Sequence, residues 1–412
     1  MTSERKRGAS CSVGRRSPSS SRSGASGDRA GSATQRAQAF VAERLPEARG
    51  LGQALAELID DPEAFVAILH EGFGRLADET YAAEQERVAP GSGAVIGVRW
   101  PLAHAVADHL RRSLAEGSSS SALWLAQRLF EERAHELRLF SHVPLRRALT
   151  DDPERSWQLM RRLAGAAGDW IAVDSLADLY ARGILAEHRR WAELEQLVYS
   201  PSRWERRLVG STLATIPHRL PRQRRSELAA GPGLAIIGSL IGDAEPDVQK
   251  ALSWALRSWY EVDAAGTTAF LRRLADAARA TDDGHRAWVV RDALTLPAIP
   301  QPLRLELRGQ LDGIRRRPGA PSTSEAGATA AAFGGFEALS RQTLAAQGER
   351  MTASNDRSPA EQRDAGALSA ATAAGRLRRG TASNARSPAE HRDAGAWRAA
   401  TAAGRLRRGT VR

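Results

Sequence analysis

The chain has 412 residues and 42% hydrophobic content, enough for one large domain with a real core. Its formal net charge is +11, and its one cysteine, Cys11, excludes an internal disulfide framework or a cysteine-based zinc site. Its nine histidines form no H-x-x-x-H pair, so no metal or other cofactor is expected, and no apolar run reaches the ~20 residues of a membrane span.

Residues 1–36 are Ser-, Gly- and Arg-rich and offer little to bury, which predicts a disordered basic tail. Nothing apolar follows the basic start, so a secretory signal is not expected; a cytoplasmic monomer is. Residues 319–412 form a second Ala-, Gly- and Arg-rich tail. Within it, Thr352 to Gly380 is repeated from Thr381 to Gly409, a 29-residue tandem duplication with four changes. Each tail carries a balance of +6, which leaves residues 37–318 at −1. The basic excess therefore says nothing about the core, where any DNA site must come from uneven placement of charge. The tails can add salt-sensitive attraction to phosphates.

Between the tails the sequence predicts helix after helix. Apolar residues recur at 3.6 spacing in 51–59, 62–76, 101–114, 122–140, 153–164 and 170–180. They continue in 188–198, 202–216, 247–259, 264–278, 285–294 and 302–313. Pro153 follows Asp152 at a helix start, while Gly231-Pro232-Gly233 is read as a breaker. Residues 93–98 are the best strand candidate and are read as an extended loop. Helices of 10–18 residues, paired about every 40, fit an all-α solenoid of HEAT-like repeats with a concave face, spanning 37–318.

Three segments combine tryptophan with charge. In Gly168–Ala177, Trp170 and Asp174 are four apart and share a helix face; Asp174 sits in an apolar stretch and is capping, ion-paired or functional. In Ser200–Leu208, Arg203, Arg206 and Arg207 crowd the first turns of a helix beside Trp204. Like charge there opposes the helix dipole, so the cluster suits a phosphate or is a solvated face neutralised by Glu205. In Asp247–Arg257, Lys250, Trp254 and Arg257 share a face, as a nucleic-acid platform or as a rim tryptophan.

In this order the segments resemble the active-site set of the DNA alkylation repair glycosylases of the AlkD type. The matching pattern is a tryptophan four before an aspartate (Trp170, Asp174), then W-x-x-R (Trp204, Arg207), then K-A-x-x-W-x-L-R (Lys250, Ala251, Trp254, Leu256, Arg257). Upstream, Ile96–Pro101 and the Trp124 to Glu136 segment also fit, and the likeness spans roughly residues 90–315; Tyr199 stands where a tryptophan is common. The resemblance implies a glycosylase acting on duplex DNA with purines alkylated at N3 or N7, without flipping the base. It implies Asp174, Trp170, Trp254 and Arg207 as catalytic residues, and Trp204, Arg206, Lys250 and Arg257 as DNA contacts. The chain's only lysines are Lys6 and Lys250, which favours a monofunctional enzyme that leaves an abasic site. The competing expectation is a non-catalytic scaffold that binds DNA or protein.

Overall fold

The computed structural model describes residues 24–89 and 91–332. Among the described residues there are seventeen α-helices and no strands. The first six are α1 (Gly24–Ala56), α2 (Pro62–Arg75), α3 (Glu79–Val88), α4 (Trp100–Glu116), α5 (Ser119–Phe130) and α6 (His135–Phe140). Next come α7 (His142–Asp151), α8 (Pro153–Ala166), α9 (Trp170–Ala186), α10 (Arg190–Gln196), α11 (Arg203–Arg219) and α12 (Ala230–Leu240). The last are α13 (Pro246–Tyr260), α14 (Ala264–Thr281), α15 (Gly284–Ala293), α16 (Gln301–Gln310) and α17 (Glu325–Ala332).

The helices stack as an all-α repeat solenoid. One layer runs α7, α9, α11, α13, α15, each packed on the next; α12, α14 and α16 stack as a second layer, with α12 and α14 packed against α13. Two large apolar clusters fill most of the interior. One joins α1 to α7 around Phe65, Phe73 and Phe140; the other runs from α5 to Ile314 and Ala326 around Trp157, Tyr180 and Trp259. Leu123 packs against both. Gly210 of α11 faces Ala251 of α13, where an added Cβ would lie 2.8 Å from the alanine methyl; glycine lets these two helices approach closely.

Local chemistry explains the helix starts. Asp152 accepts from Arg155 N at 3.1 Å ahead of Pro153, and Asp169 caps α9 by accepting from Ile171 N and Ala172 N. Residues 93–98 are the expected loop, with isolated bridges at Ala94 and Val98 rather than a strand. Buried Glu136 holds it, accepting from the amides of Ile96, Gly97 and Val98, with Gly97 at φ 96.

The structure departs from the sequence reading in several places: α3, α7, α12 and α17 have no counterpart among the expected segments. The single helix expected over 122–140 is broken into α5 and α6, because Ala134 leaves the helix to bridge Ala94. Gly231-Pro232-Gly233 does not break a helix but lies in the first turn of α12, where proline has no amide to lose. Gly233 is there because a Cβ would lie 2.7 Å from the Trp259 ring. The boundaries at 36 and 319 also fall inside structure: α1 begins at Gly24, and α17 follows 319. The rest of both expected tails, 1–23 and 333–412, lies outside the described residues, as does the duplication.

The segment between α16 and α17 forms a strap across the start of the last repeats. Arg316 donates to Gln249 Oε1 at 2.8 Å and lies over the Trp288 ring. Ala320 O meets His285 Nε2 at 3.2 Å. Thr323 N donates to Gly242 O at 2.9 Å, and Ser322 Oγ accepts from Ala244 N at 2.9 Å. Helix α17 then rests on α12 and the short turn Leu197–Tyr199.

Candidate functional site

Helices α9, α11 and α13 lie side by side and carry all eight residues singled out in the sequence. Asp174 is in the second turn of α9. Since Asp169 already caps this helix, Asp174 is free of that role. It is instead ion-paired: Arg207 of α11 donates from Nε to Oδ1 at 3.1 Å and from Nη2 to Oδ2 at 2.7 Å. Ser211, one turn further along α11, donates to Oδ1 at 2.6 Å. This two-point fork fixes the carboxylate plane. Its side chain remains 14% exposed, so part of its rim faces outward.

Arg207 is more enclosed, at 7% side-chain exposure. Its Nη1 donates to the Asp247 carbonyl at 2.7 Å, at the start of α13. Its guanidinium carbon is 5.9 Å from the Trp170 ring centroid. Trp170 is half-buried and packs on a small cluster of Ala89, Leu139 and Ile171, which Trp100 also covers. Trp170, Asp174 and Arg207 are therefore brought together. Arg207 is turned toward the carboxylate rather than outward, where it was expected to grip a phosphate.

The neighbouring arginine has a different place. Arg206, expected at the DNA, is buried: Nε pairs with Asp243 Oδ2 at 2.7 Å, and Nη1 donates to the carbonyls of Ser200 and Pro201. Asp243 is itself fully buried. This pair ties the start of α11 to the loop before α13. Trp204 is half-buried against the main core, with the exposed Arg203 stacked 4.6 Å over its ring.

On α13, Lys250 is exposed and Trp254 half-buried against the core. Arg257 pairs with Asp292 of α15 at 2.8 Å, and Ser253 donates to the same carboxylate at 2.6 Å. This repeats, one step along the solenoid, the arginine–serine grip on Asp174. Ser211 and Asp292 were missed in the sequence. The spacing of Arg207 and Ser211, four apart on one helix face, was the available signal.

The arrangement offers a fixed, partly open carboxylate beside an aromatic ring. It can stabilise positive charge developing next to it. Among the described residues no group of three metal-ligating side chains is present, and no helix is long and apolar enough to cross a membrane.

No curated protein and no solved structure matches the chain. A family model does: that of the DNA alkylation repair enzymes matches residues 69–296, more than half of the chain, and covers α9, α11 and α13 with Asp174, Arg207 and Trp254. The chain belongs to the DNA alkylation repair enzyme family.

Proposed function

We propose that the protein is a monofunctional DNA glycosylase that hydrolyses the N-glycosidic bond of cationic N3- or N7-alkylated purines in duplex DNA. The carrying observation is Asp174, a carboxylate inside a helix, gripped by Arg207 and Ser211 yet still partly exposed, one turn after Trp170.

An alkylated purine already carries positive charge, so its departure needs no proton. The C1′–N bond breaks, its electron pair goes to the base and neutralises it, and positive charge develops on the sugar. A fixed negative charge at Asp174 would stabilise that cation. The Arg207 fork holds the carboxylate oriented without reorganisation during the reaction. Trp170 and Trp254 offer π faces, which also favour a cation. Water then adds at C1′ and releases its proton, leaving an abasic site. Lys250 is exposed on α13 and belongs to no ion pair among the described residues, so it would meet phosphate rather than attack the sugar.

One observation favours a second reading, a non-catalytic DNA-binding scaffold: the same bidentate pairing partly neutralises Asp174. Base release from methylated duplex DNA separates the two. Free 7-methylguanine or 3-methyladenine supports the glycosylase. Binding without any release supports the scaffold.

A further inference from the structure

Charge is unevenly placed along the core. Residues 37–263 carry 27 basic and 32 acidic residues, a balance of −5, whereas residues 264–318 carry ten arginines and six acidic residues, a balance of +4. The last repeats are therefore basic although the core as a whole is not. Arg207, Arg206 and Arg257, expected to serve DNA, are meanwhile committed to Asp174, Asp243 and Asp292.

Part of the basic excess is gathered on the strap. Gly313, at φ 80, turns the chain out of α16, and buried Ile314 anchors it. Arg315, Arg316 and Arg317 follow, three consecutive arginines closed by Pro318. Arg316 donates to Gln249 Oε1, and its guanidinium carbon lies 4.6 Å from the centre of the Trp288 ring. Arg291 of α15 ties down the start of the run, donating to the carbonyls of Leu311 at 3.0 Å and Ile314 at 2.8 Å. Carbonyl and amide oxygens, rather than carboxylates, hold these two. Burial lowers the pKa of Arg291, and the charges of Arg315 and Arg316 lower it further, against Asp312. Arg315 and Arg317 have 65% and 75% exposed side chains and pair with the exposed carboxylates of Asp312, at 3.6 Å, and Asp282. Exposed pairs of this kind contribute little, so either guanidinium can exchange its carboxylate for another anion. Anchoring the strap uses Arg291 and Arg316; it does not require two further arginines that face solvent.

The strap crosses the starts of α13 and α15, bonding to Gln249 and His285. Gln249 precedes Lys250, the exposed cation of α13, and Asp247 just before it offers its carbonyl to Arg207, the partner of Asp174. Neighbouring helices of such a layer lie about 8–10 Å apart. The path from α9 across α11 to the strap between α13 and α15 is thus about 20–25 Å, less than one turn of a duplex at about 34–36 Å. We propose that the strap is a DNA-backbone site, in which Arg315 and Arg317 take phosphodiester oxygens of a duplex lying along the layer. Arg316 and Arg291 fix the run and add charge, and the planar guanidiniums suit two-point bonding to phosphate. The assignment rests on DNA as the ligand of this layer, but not on base release.

The test uses the full chain and an undamaged duplex, with binding measured against salt. In the double variant Arg315→Gln/Arg317→Gln, the slope of log K against log salt should fall by about 0.9 for each lost phosphate contact, about 1.8 in all. Both side chains are exposed, so the melting temperature should hold. Arg111→Gln/Arg112→Gln on α4, where both side chains are also exposed, removes the same charge elsewhere and should leave the slope unchanged. Asp282→Asn/Asp312→Asn removes the two competing carboxylates and should strengthen binding. An unchanged slope in the strap variant overturns the assignment. An equal fall in the α4 variant also overturns it, because net charge rather than a site would then be acting. Unchanged or weaker binding in the aspartate variant does the same. Absent base release, with the slope effect intact, would defeat the glycosylase reading and leave this site standing; base release without the slope effect would do the reverse.

Discussion

Arg207 grips Asp174 across the gap between α11 and α9, Nε to Oδ1 at 3.1 Å and Nη2 to Oδ2 at 2.7 Å. The pair joins residues 33 positions apart and commits the arginine to the carboxylate. Substituting either partner therefore disturbs both packing and chemistry, so rate and stability have to be measured together.

Asp174→Asn keeps the side chain's size but removes its charge. Base release from 7-methylguanine duplex should fall by roughly 10²–10³-fold in single turnover, well below the variant's melting transition. The melting temperature should fall too, because Arg207 loses its counter-charge. DNA binding should change little. A near-normal rate in folded Asp174→Asn protein would leave only the scaffold reading.

Arg206→Gln tests the buried pair next door. Asp243 is fully buried and would lose its counter-charge, at a cost of about 3–5 kcal/mol in denaturant unfolding. Duplex affinity of the folded variant should stay unchanged, since Arg206 faces inward. A loss of affinity without a loss of stability would return Arg206 to the DNA surface.

The two arginines show what the sequence could reveal. Both stood out as a basic cluster opening a helix, and the family pattern picked Arg207. Their opposite fates follow from a 100° turn between neighbours on a helix, which aims one at α9 and the other at Asp243. Patterns within one segment cannot supply such partners, because each lies a repeat away. Helix periodicity, by contrast, is local, and the repeat architecture was legible.

Truncation should separate strap from tail. Deleting 333–412 should preserve the melting temperature and base release, while weakening the salt-sensitive binding of undamaged DNA that the basic repeats favour. Ending the chain at 318 should lower the melting temperature, because Ser322, Thr323 and α17 lose their contacts. Equal melting of the two truncated proteins would show that the strap adds no stability.

Borohydride trapping tests the product. With Lys250 exposed on α13, no covalent enzyme–DNA adduct should form, and the abasic strand should stay intact until alkali treatment. An adduct lost in Lys250→Ala would make the enzyme bifunctional.

The strap has a further consequence, for cooperativity. In a solenoid each repeat contacts only its neighbours, so the ends fray one repeat at a time. Here Thr323 bonds to Gly242 and Ser322 to Ala244, across 81 and 78 residues. Residues from α12 to α17 are thereby closed into a ring rather than left as a free end. Opening α15 or α16 first requires the strap to detach, so the terminal repeats should exchange their amide hydrogens as one block. The start of α13, which supplies the Asp247 carbonyl to Arg207, lies inside that block. The last repeat thus protects the geometry of Asp174 without approaching it.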